Sequence, residues 1–394
     1  IDAKLEDNIL KLDNDNGIYA EDATTGGLLT QIGVGVTTKQ VATNFLTVIT
    51  QSSAEAAIAI GSVSTLTAGN LYSISSLSDL NKLASLVNSG QASNCTFILT
   101  GDIDMANSPG YIPIGTDEHK FMGTFYGNGH VISNVSISQS GTSGVGIFGV
   151  TGNTARILDL GVENATVSGK DYTGVIVGNS AGTITNCYVK GNVNVNGNSY
   201  VGAITGQATN TIASSYTSGN ININGSGYVG GLAGYINSSV RNSFVQDVNV
   251  TSSSGKAGGF TGVFGSAASY DKISIKGTIN VSGSNCIGGY VGSSDISLSN
   301  LNANVTGTVK ATSGYVGGIA GSISSSRTIS NCNATMSITG SGGNYVGGIV
   351  GYANSATISQ SSYNGTITAT DTGSVGGIAG VAGTISQSSY NGTI

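Results

Sequence analysis

The sequence predicts an all-β fold: a parallel β-helix, or β-solenoid, of three-strand coils with one helix in an N-terminal cap. Three observations carry this. The composition excludes most other classes, a motif returns every 28–30 residues, and apolar and polar residues alternate strictly inside each period. Of 394 residues, 62 are Gly, 2 are Pro and none is Trp, and charged residues make up 9%. An ordinary chain holds about 7% Gly and about 25% charged residues. Hydrophobic residues, at 39%, suffice for a core, whereas disordered chains are charge-rich and apolar-poor. Gly does not recur every third residue, which excludes collagen. No run of about 18 apolar residues suggests a transmembrane helix. Each interior Gly costs a helix about 1 kcal/mol, which argues against a helical bundle.

In chain order, residues 1–70 have no clear fold. They hold most of the acidic excess: residues 1–100 carry four bases and nine acids, within a net charge of −6. Gln40–Ile60 reads equally as helix or buried strand. The start at Ile1-Asp2-Ala3, without Met or a signal peptide, reads as a processed or trimmed end. Residues 71–142 read as a cap. Its helix is expected over 76–90, with Ser76 as N-cap, Asp79 three residues on and Gly90 as C-terminal stop. Leu77, Leu80, Leu83, Ala84, Leu86 and Val87 supply its apolar stripe. Cys95–Met105, Tyr111–Gly115 and Phe121–Ile137 follow as strands. A solenoid end is an open sheet edge that such a cap should cover.

Residues 143–394 read as about nine coils. YVGGLAG at 228–234 returns as YVGGIAG at 315–321, YVGGIVG at 345–351 and SVGGIAG at 374–380; TISQSSYNGTI occurs verbatim at 357–367 and 384–394. The closing glycines are 149, 178, 206, 234, 262, 292, 321, 351 and 380. Two residues before each stands a large apolar side chain, from Ile147 through Leu232 and Phe260 to Ile378. A second piece resembles T-I-x-N-C/S-Y, as at 183–188, with Ser215 and Ser243 in the Cys slot. A third alternates, as in Asn192-Val193-Asn194-Val195-Asn196. Period-two alternation means strands with one buried face. Three short strands cannot bury a core alone, but stacked copies can, with like residues in internal ladders. Coils about 4.8 Å apart make a rod of roughly 40 Å, and the crossover rule favours a right-handed coil. A propeller needs blades of about 40 residues and four strands, so it fits less well, as does a sandwich. The chain stops at Ile394 in mid-repeat, which leads us to expect an uncapped, pairing-competent end.

The run ISSLSDLNKLASLVNSG, FILTGDIDM, YIPIG, FMGTFYGNGHVISNVSI and then repeated G-L/I/F-x-G resembles bacterial surface proteins with GLUG-motif repeats. The motif stands as GIFG at 146–149, GLAG at 231–234, GIAG at 318–321 and 377–380, and GIVG at 348–351. VIVG, AITG, GFTG and GYVG depart from it but keep the closing Gly. The resemblance covers about 74–394 and implies a secreted or cell-surface bacterial protein, often an adhesin. Similar segments sit beside streptococcal immunoglobulin-A metalloproteases, where they are not the catalytic part.

The chemistry-bearing residues are sparse. Cys95, Cys187, Cys286 and Cys332 have neither metal-ligand nor disulfide-scaffold spacing and read as small buried apolar residues. Asp13-Asn14-Asp15-Asn16-Gly17 invites a Ca²⁺ loop, but Gly17 falls at position 5 and Thr24 at 12, so it reads as a polar turn. Asp102 and Asp104 share a strand face and read as structural. His119 reads as exposed loop and His130 as part of a turn. The Gly runs lack a following Lys, so they are corners and not phosphate loops. Acids in the repeats recur at no common coil position, against acid–base catalysis. Tyr172, Tyr200, Tyr228, Tyr315 and Tyr345 share one repeat position. Strand parity places them on the internal ladder face, and a surface sugar-binding strip is the less favoured reading. Asn-x-Ser/Thr sequons, such as Asn94, Asn134 and Asn224, are expected by chance in so polar a chain.

These observations lead us to expect no catalytic, cofactor or metal site, and a non-enzymatic extracellular surface protein, an adhesin or adhesin stalk. The rival expectations are a subunit or spacer of an extracellular filament, or the non-catalytic repeat region of a secreted enzyme. Expected partners are a surface glycan or protein on a host or neighbouring cell, or another copy through the solenoid ends. Nucleic acid and a membrane span are not expected.

Overall fold

The structure, a computed structural model, describes residues 57–91, 95–106, 108, 110–342, 345–371 and 373–394, and the backbone of three strands before them. Those strands, Ala3–Leu5, Asn8–Asp13 and Gly17–Asp22, form an antiparallel sheet in which Asp13 pairs with Gly17. The remaining Asp13–Gly17 residues, most of Gln40–Ile60 and Asn94 lie outside the described residues.

From Ile58 onward the chain winds as a parallel β-solenoid of about eleven turns. Each turn lays its strands on those of the turn before, so strand neighbours are roughly one period apart in sequence. The alternating segments form a ten-stranded parallel sheet from Ile103–Asp104 to Ile367–Thr370. Its inward column runs Ile137, Val167, Val195, Ile223, Val250, Val281, Val309, Ile338 and Ile367, each opposite the next. All of these are buried. Hydrophobic burial at about 25 cal/mol per Å² is the main force holding such a stack together.

The Gly-rich piece proves to be two strands. In one turn these are Tyr228–Gly230 and Ala233–Ile236, with a bend between them. The large residue at that bend, Leu232 here and Ile319, Ile349 and Ile378 later, points inward, and Ile319 N–H donates to Ile349 O at 2.9 Å.

A further corner is built without glycine. Asn128, Asp159, Asn186, Ser214, Asn242, Lys272, Asn300, Asn331, Gln360 and Gln387 stack with φ between 47° and 57°. Asn and Asp tolerate this left-handed region because their short side chains can bond locally. The next residue in the turn faces inward, and this explains the alternation of Cys and Ser in that slot. Ser215 Oγ accepts from Cys187 N–H at 3.1 Å and donates to Ala213 O at 2.9 Å. Ser243 Oγ accepts from Ser215 N–H, and Ser361 Oγ from Cys332 N–H. Cys187 Sγ reaches Thr185 O at 3.3 Å in the same way. A small side chain with one rotatable donor thus satisfies buried backbone between turns. Ser215→Ala should leave the Cys187 N–H unpaired and cost about 1–3 kcal/mol in chemical denaturation. Ser215→Cys should cost less, since Cys already fills this slot elsewhere.

The single α-helix among the described residues, α1, spans Leu77–Asn88, slightly shorter than the expected 76–90. Ser76 caps it, its Oγ accepting from Asp79 N–H. Gly90, at φ +89°, ends it: Gly90 N–H bonds Val87 O and Gln91 N–H bonds Leu86 O. This pair of bonds needs a left-handed residue that Gly adopts without strain. The buried side of α1 packs Leu80, Leu83, Ala84, Leu86 and Val87 into the common core. The expected strand over Cys95–Met105 divides into Thr96–Leu99 and Ile103–Asp104, and Phe121–Ile137 into Thr124–Tyr126 and Val131–Ser138. In the second case the break is a turn in which Asn128 and Gly129 both take positive φ.

Candidate functional site

Asp102, Asp104 and His119 are held by bonds within the fold. Asp102 is not on a strand face with Asp104 but precedes the strand Ile103–Asp104. It accepts from Val131 N–H at 3.0 Å and lies 3.2 Å from His130 Nδ1. The backbone bond, then the imidazole, holds its carboxyl below the usual range. Asp104 accepts from Asn134 Nδ2 and Ala106 N–H, and is lowered by them in that order. His119 was expected as exposed loop. It is instead half-buried against the end of α1, with Nδ1 2.8 Å from Asn88 O. A cation or donor at a helix C-terminus satisfies the orphan carbonyls there. Among the described residues no group of His, Cys, Asp and Glu could hold a metal ion. No helix there is long and apolar enough to cross a membrane.

All four cysteines are buried, and Cys187, Cys286 and Cys332 are free thiols. Burial pushes the Cys187 thiol up to about 12 and the Cys332 thiol up to about 11. In the unfolded chain both would titrate near 9.0. Below that pH both states hold the proton and stability does not depend on it. Above it the unfolded chain loses the proton first, so stability should fall from about pH 9 to about pH 12. The slope is at most about 1.4 kcal/mol per pH unit for each thiol. An aromatic disulfide reagent at pH 8 should label neither thiol until denaturant is added.

The tyrosines overturn the parity argument. Counted through the Gly pair as one strand, Tyr228 and Leu232 share a face. The bend after Gly230 ends that strand, so Val229 points inward and Tyr228 outward. Tyr172, Tyr200, Tyr228, Tyr315 and Tyr345 are all half-exposed on the outer surface. One outward column runs Tyr200, Tyr228, Lys256, Cys286, Tyr315, Tyr345 and Ser374. The neighbouring column runs Gln207, Tyr235, Val263, Ser293, Ser322, Tyr352 and Val381.

Together the columns hold two aromatic clusters. In the first, Tyr172 and Tyr200 stack at 4.8 Å and 6°, but Tyr228 stands at 85° to Tyr200, and Tyr235 lies 6.2 Å from Tyr228. Lys256 Nζ lies 5.3 Å from the centre of the Tyr228 ring. In the second, Tyr352 stacks on Tyr315 at 4.7 Å and lies 5.6 Å from Tyr345 at 47°. Between the clusters Val263, Cys286 and Ser293 are buried and Ser322 is half-buried, its Oγ donating to Ser293 Oγ at 3.0 Å.

A separate ladder, missed on sequence, stacks Tyr188, Tyr216 and Phe244 at 5.3 and 4.7 Å, with rings 16° and 6° apart. Tyr188 lies close against Gly161, and Lys276 Nζ sits 3.8 Å from the Phe244 ring centre. Lys190 pairs with Glu163 at 2.8 Å beside it. The recurrence of Tyr188 and Tyr216 one period apart was the available signal. Further along the same sheet, Asn220, Asn222 and Asn224 donate to Asn192, Asn194 and Asn196 in an amide ladder.

No protein-family model matches the chain. Halomucin of Haloquadratum walsbyi is 38% identical over 138 residues, 32% of this chain. A protein of Evansella cellulosilytica, provisionally described as a Gly-rich membrane protein, is 32% identical over 102 residues, 24% of this chain. The chain spans 2% and 12% of those relatives' own lengths. A crystal structure from Bacteroides ovatus, provisionally described as an immunoglobulin A1 protease, covers 83% of this chain and 85% of its own. Its identity is 21% and its TM-score 0.41, a likeness that assigns no activity here.

Proposed function

We propose that this chain is a non-enzymatic part of an extracellular surface protein, an adhesin or its stalk, in which the solenoid serves as a rod displaying its outer columns. The observation that carries the reading is the use made of the carboxylates. Asp159 accepts from Asn186 Nδ2, Asp247 from Thr278 N–H at 2.8 Å and Asp295 from Ser324 Oγ at 2.7 Å, each from the next coil. These acids act as rungs between turns, whereas hydrolysis of a glycosidic bond needs two carboxyls facing one another. The glycine motif supports kinship with GLUG-repeat surface proteins. The partial matches to a halomucin and to a protein named for a membrane fit a surface location.

Antibody labelling and protease shaving of intact source cells test the reading. The chain should be labelled and cut without lysis; labelling only after lysis would refute a surface role. Negative-stain images of the purified chain should show isolated rods, while filaments would favour the structural-subunit alternative.

A further inference from the structure

We propose that the two tyrosine clusters form one docking surface for an extended, uncharged polysaccharide strand laid along the solenoid axis. This rests on the surface-display reading and deepens it by naming the ligand class.

The clusters differ from the other aromatic ladder in how their rings cover one another. In the Tyr188–Tyr216–Phe244 ladder the rings are parallel, so each covers its neighbour. Its ends are closed by the Gly161 backbone and by Lys276. That ladder is complete in itself. Each cluster holds one parallel pair, Tyr172–Tyr200 at 6° and Tyr315–Tyr352 at 17°, but the remaining rings are turned, 85° between Tyr200 and Tyr228 and 47° between Tyr345 and Tyr352. A crossed neighbour cannot cover a whole ring face.

The fold does not require aromatics here. Lys256, Cys286 and Ser374 hold the same register position in other turns, as Gln207, Ser293 and Ser322 do in the neighbouring column. The parallel pairing runs on unbroken over them.

Lys256 is the only cation in the two columns, too little for a nucleic-acid backbone, which is held by many phosphate contacts. A peptide added as a strand needs a free sheet edge. The strands beneath the tyrosines are instead paired on both sides, as Tyr228–Gly230 is with its neighbours in the turns before and after. A sugar ring offers what remains: an apolar C–H face for the rings, and hydroxyls for the phenols and for the part-exposed Ser322. Aromatic side chains with a polar tip suit such amphipathic partners. Tyr228 and Tyr315 are three coil steps apart, about 14 Å at about 4.8 Å per coil. A single sugar cannot touch both clusters, but a chain can.

The test is retention of the purified full chain on insoluble cellulose, chitin and xylan, and its retardation in gels containing soluble dextran or starch. Wild type should bind at least one of these. Tyr228→Ala with Tyr235→Ala, or Tyr315→Ala with Tyr352→Ala, should each lower binding by at least about tenfold. The corresponding Tyr→Phe variants should retain most of it. Tyr→Leu variants, which keep apolar bulk, replace any Ala variant that fails to fold. Tyr216→Ala should lower the Tm and leave binding unchanged. Binding to none of the glycans, equal binding by the Ala or Leu variants, or retention of a protein ligand by these tyrosines instead would overturn the proposal. If the chain is found on intact cells and yet binds no glycan, the docking proposal falls alone; if it is found only inside cells, the display reading falls.

Discussion

Replacing Ile349 with Asp is expected to melt the C-terminal coils, at a cost of more than about 4 kcal/mol. Ile349 is fully buried, its N–H donating to Ile378 O and its carbonyl accepting from Ile319 N–H. A carboxylate there would have apolar neighbours above and below and no cation within the core. Because each turn leans on the next, the loss should spread through the turns on either side and leave the capped N-terminal turns folded. Two transitions in thermal unfolding, with amide exchange protection retained before about residue 290 and lost after it, would be the expected record. A single unshifted transition would mean that the column is not internal. The comparison substitution, Asn222→Asp, is less innocent than an outward alternating position suggests. Asn222 Nδ2 donates to Asn194 and Asn220, and its Oδ1 accepts from Asn249 Nδ2 at 3.0 Å. A carboxylate would set oxygen against oxygen on one side of the ladder, so about 1–2 kcal/mol is expected in place of a negligible cost.

The second large effect is expected at a glycine with ordinary φ. A Cβ on Gly230 would stand 2.2 Å from Ala233 O and 2.5 Å from Thr261 Cα in the next turn. Both are backbone atoms that cannot swing aside. Gly230→Ala should therefore push two turns apart and cost about 3 kcal/mol or more, at the upper end of overpacking effects. Gly141→Ala is the control, since a Cβ there meets nothing within 4 Å. It should be neutral or slightly stabilising, because Ala restricts the unfolded chain. Urea titration of the two variants decides: similar midpoints would show that the turns do not approach as closely as described.

These glycines show why so much of the fold was legible. A solenoid repeats one environment many times, so a local requirement becomes a period in the sequence. The closing glycines, the large inward residue and the Cys/Ser slot each answer a constraint set by the turn above or below. The N-cap at Ser76 and the stop at Gly90 were legible for another reason, since helix ends use nearby residues only. His119 was misjudged because its partner, Asn88 O, is distant in sequence and offers a backbone atom with no signature of its own.

By itself the sequence determined the period, the parallel stacking it demands, the inward columns and the helix near the N-terminus, because each depends on residue type and spacing alone. Only the tertiary structure decided where each turn bends and hence which way a side chain faces. Parity along a strand holds only while the strand continues. The bend between Gly230 and Ala233 resets it, and that bend is set by contact with the adjacent turns. This is why the tyrosines, expected inside, stand on the surface. Likewise residue type announced only part of the left-handed column from Asn128 to Gln387: Asn and Asp hold six of its ten positions, but Ser, Lys and Gln hold the rest. There the backbone conformation is imposed by hydrogen bonds between turns, which outweigh the local preference of the side chain.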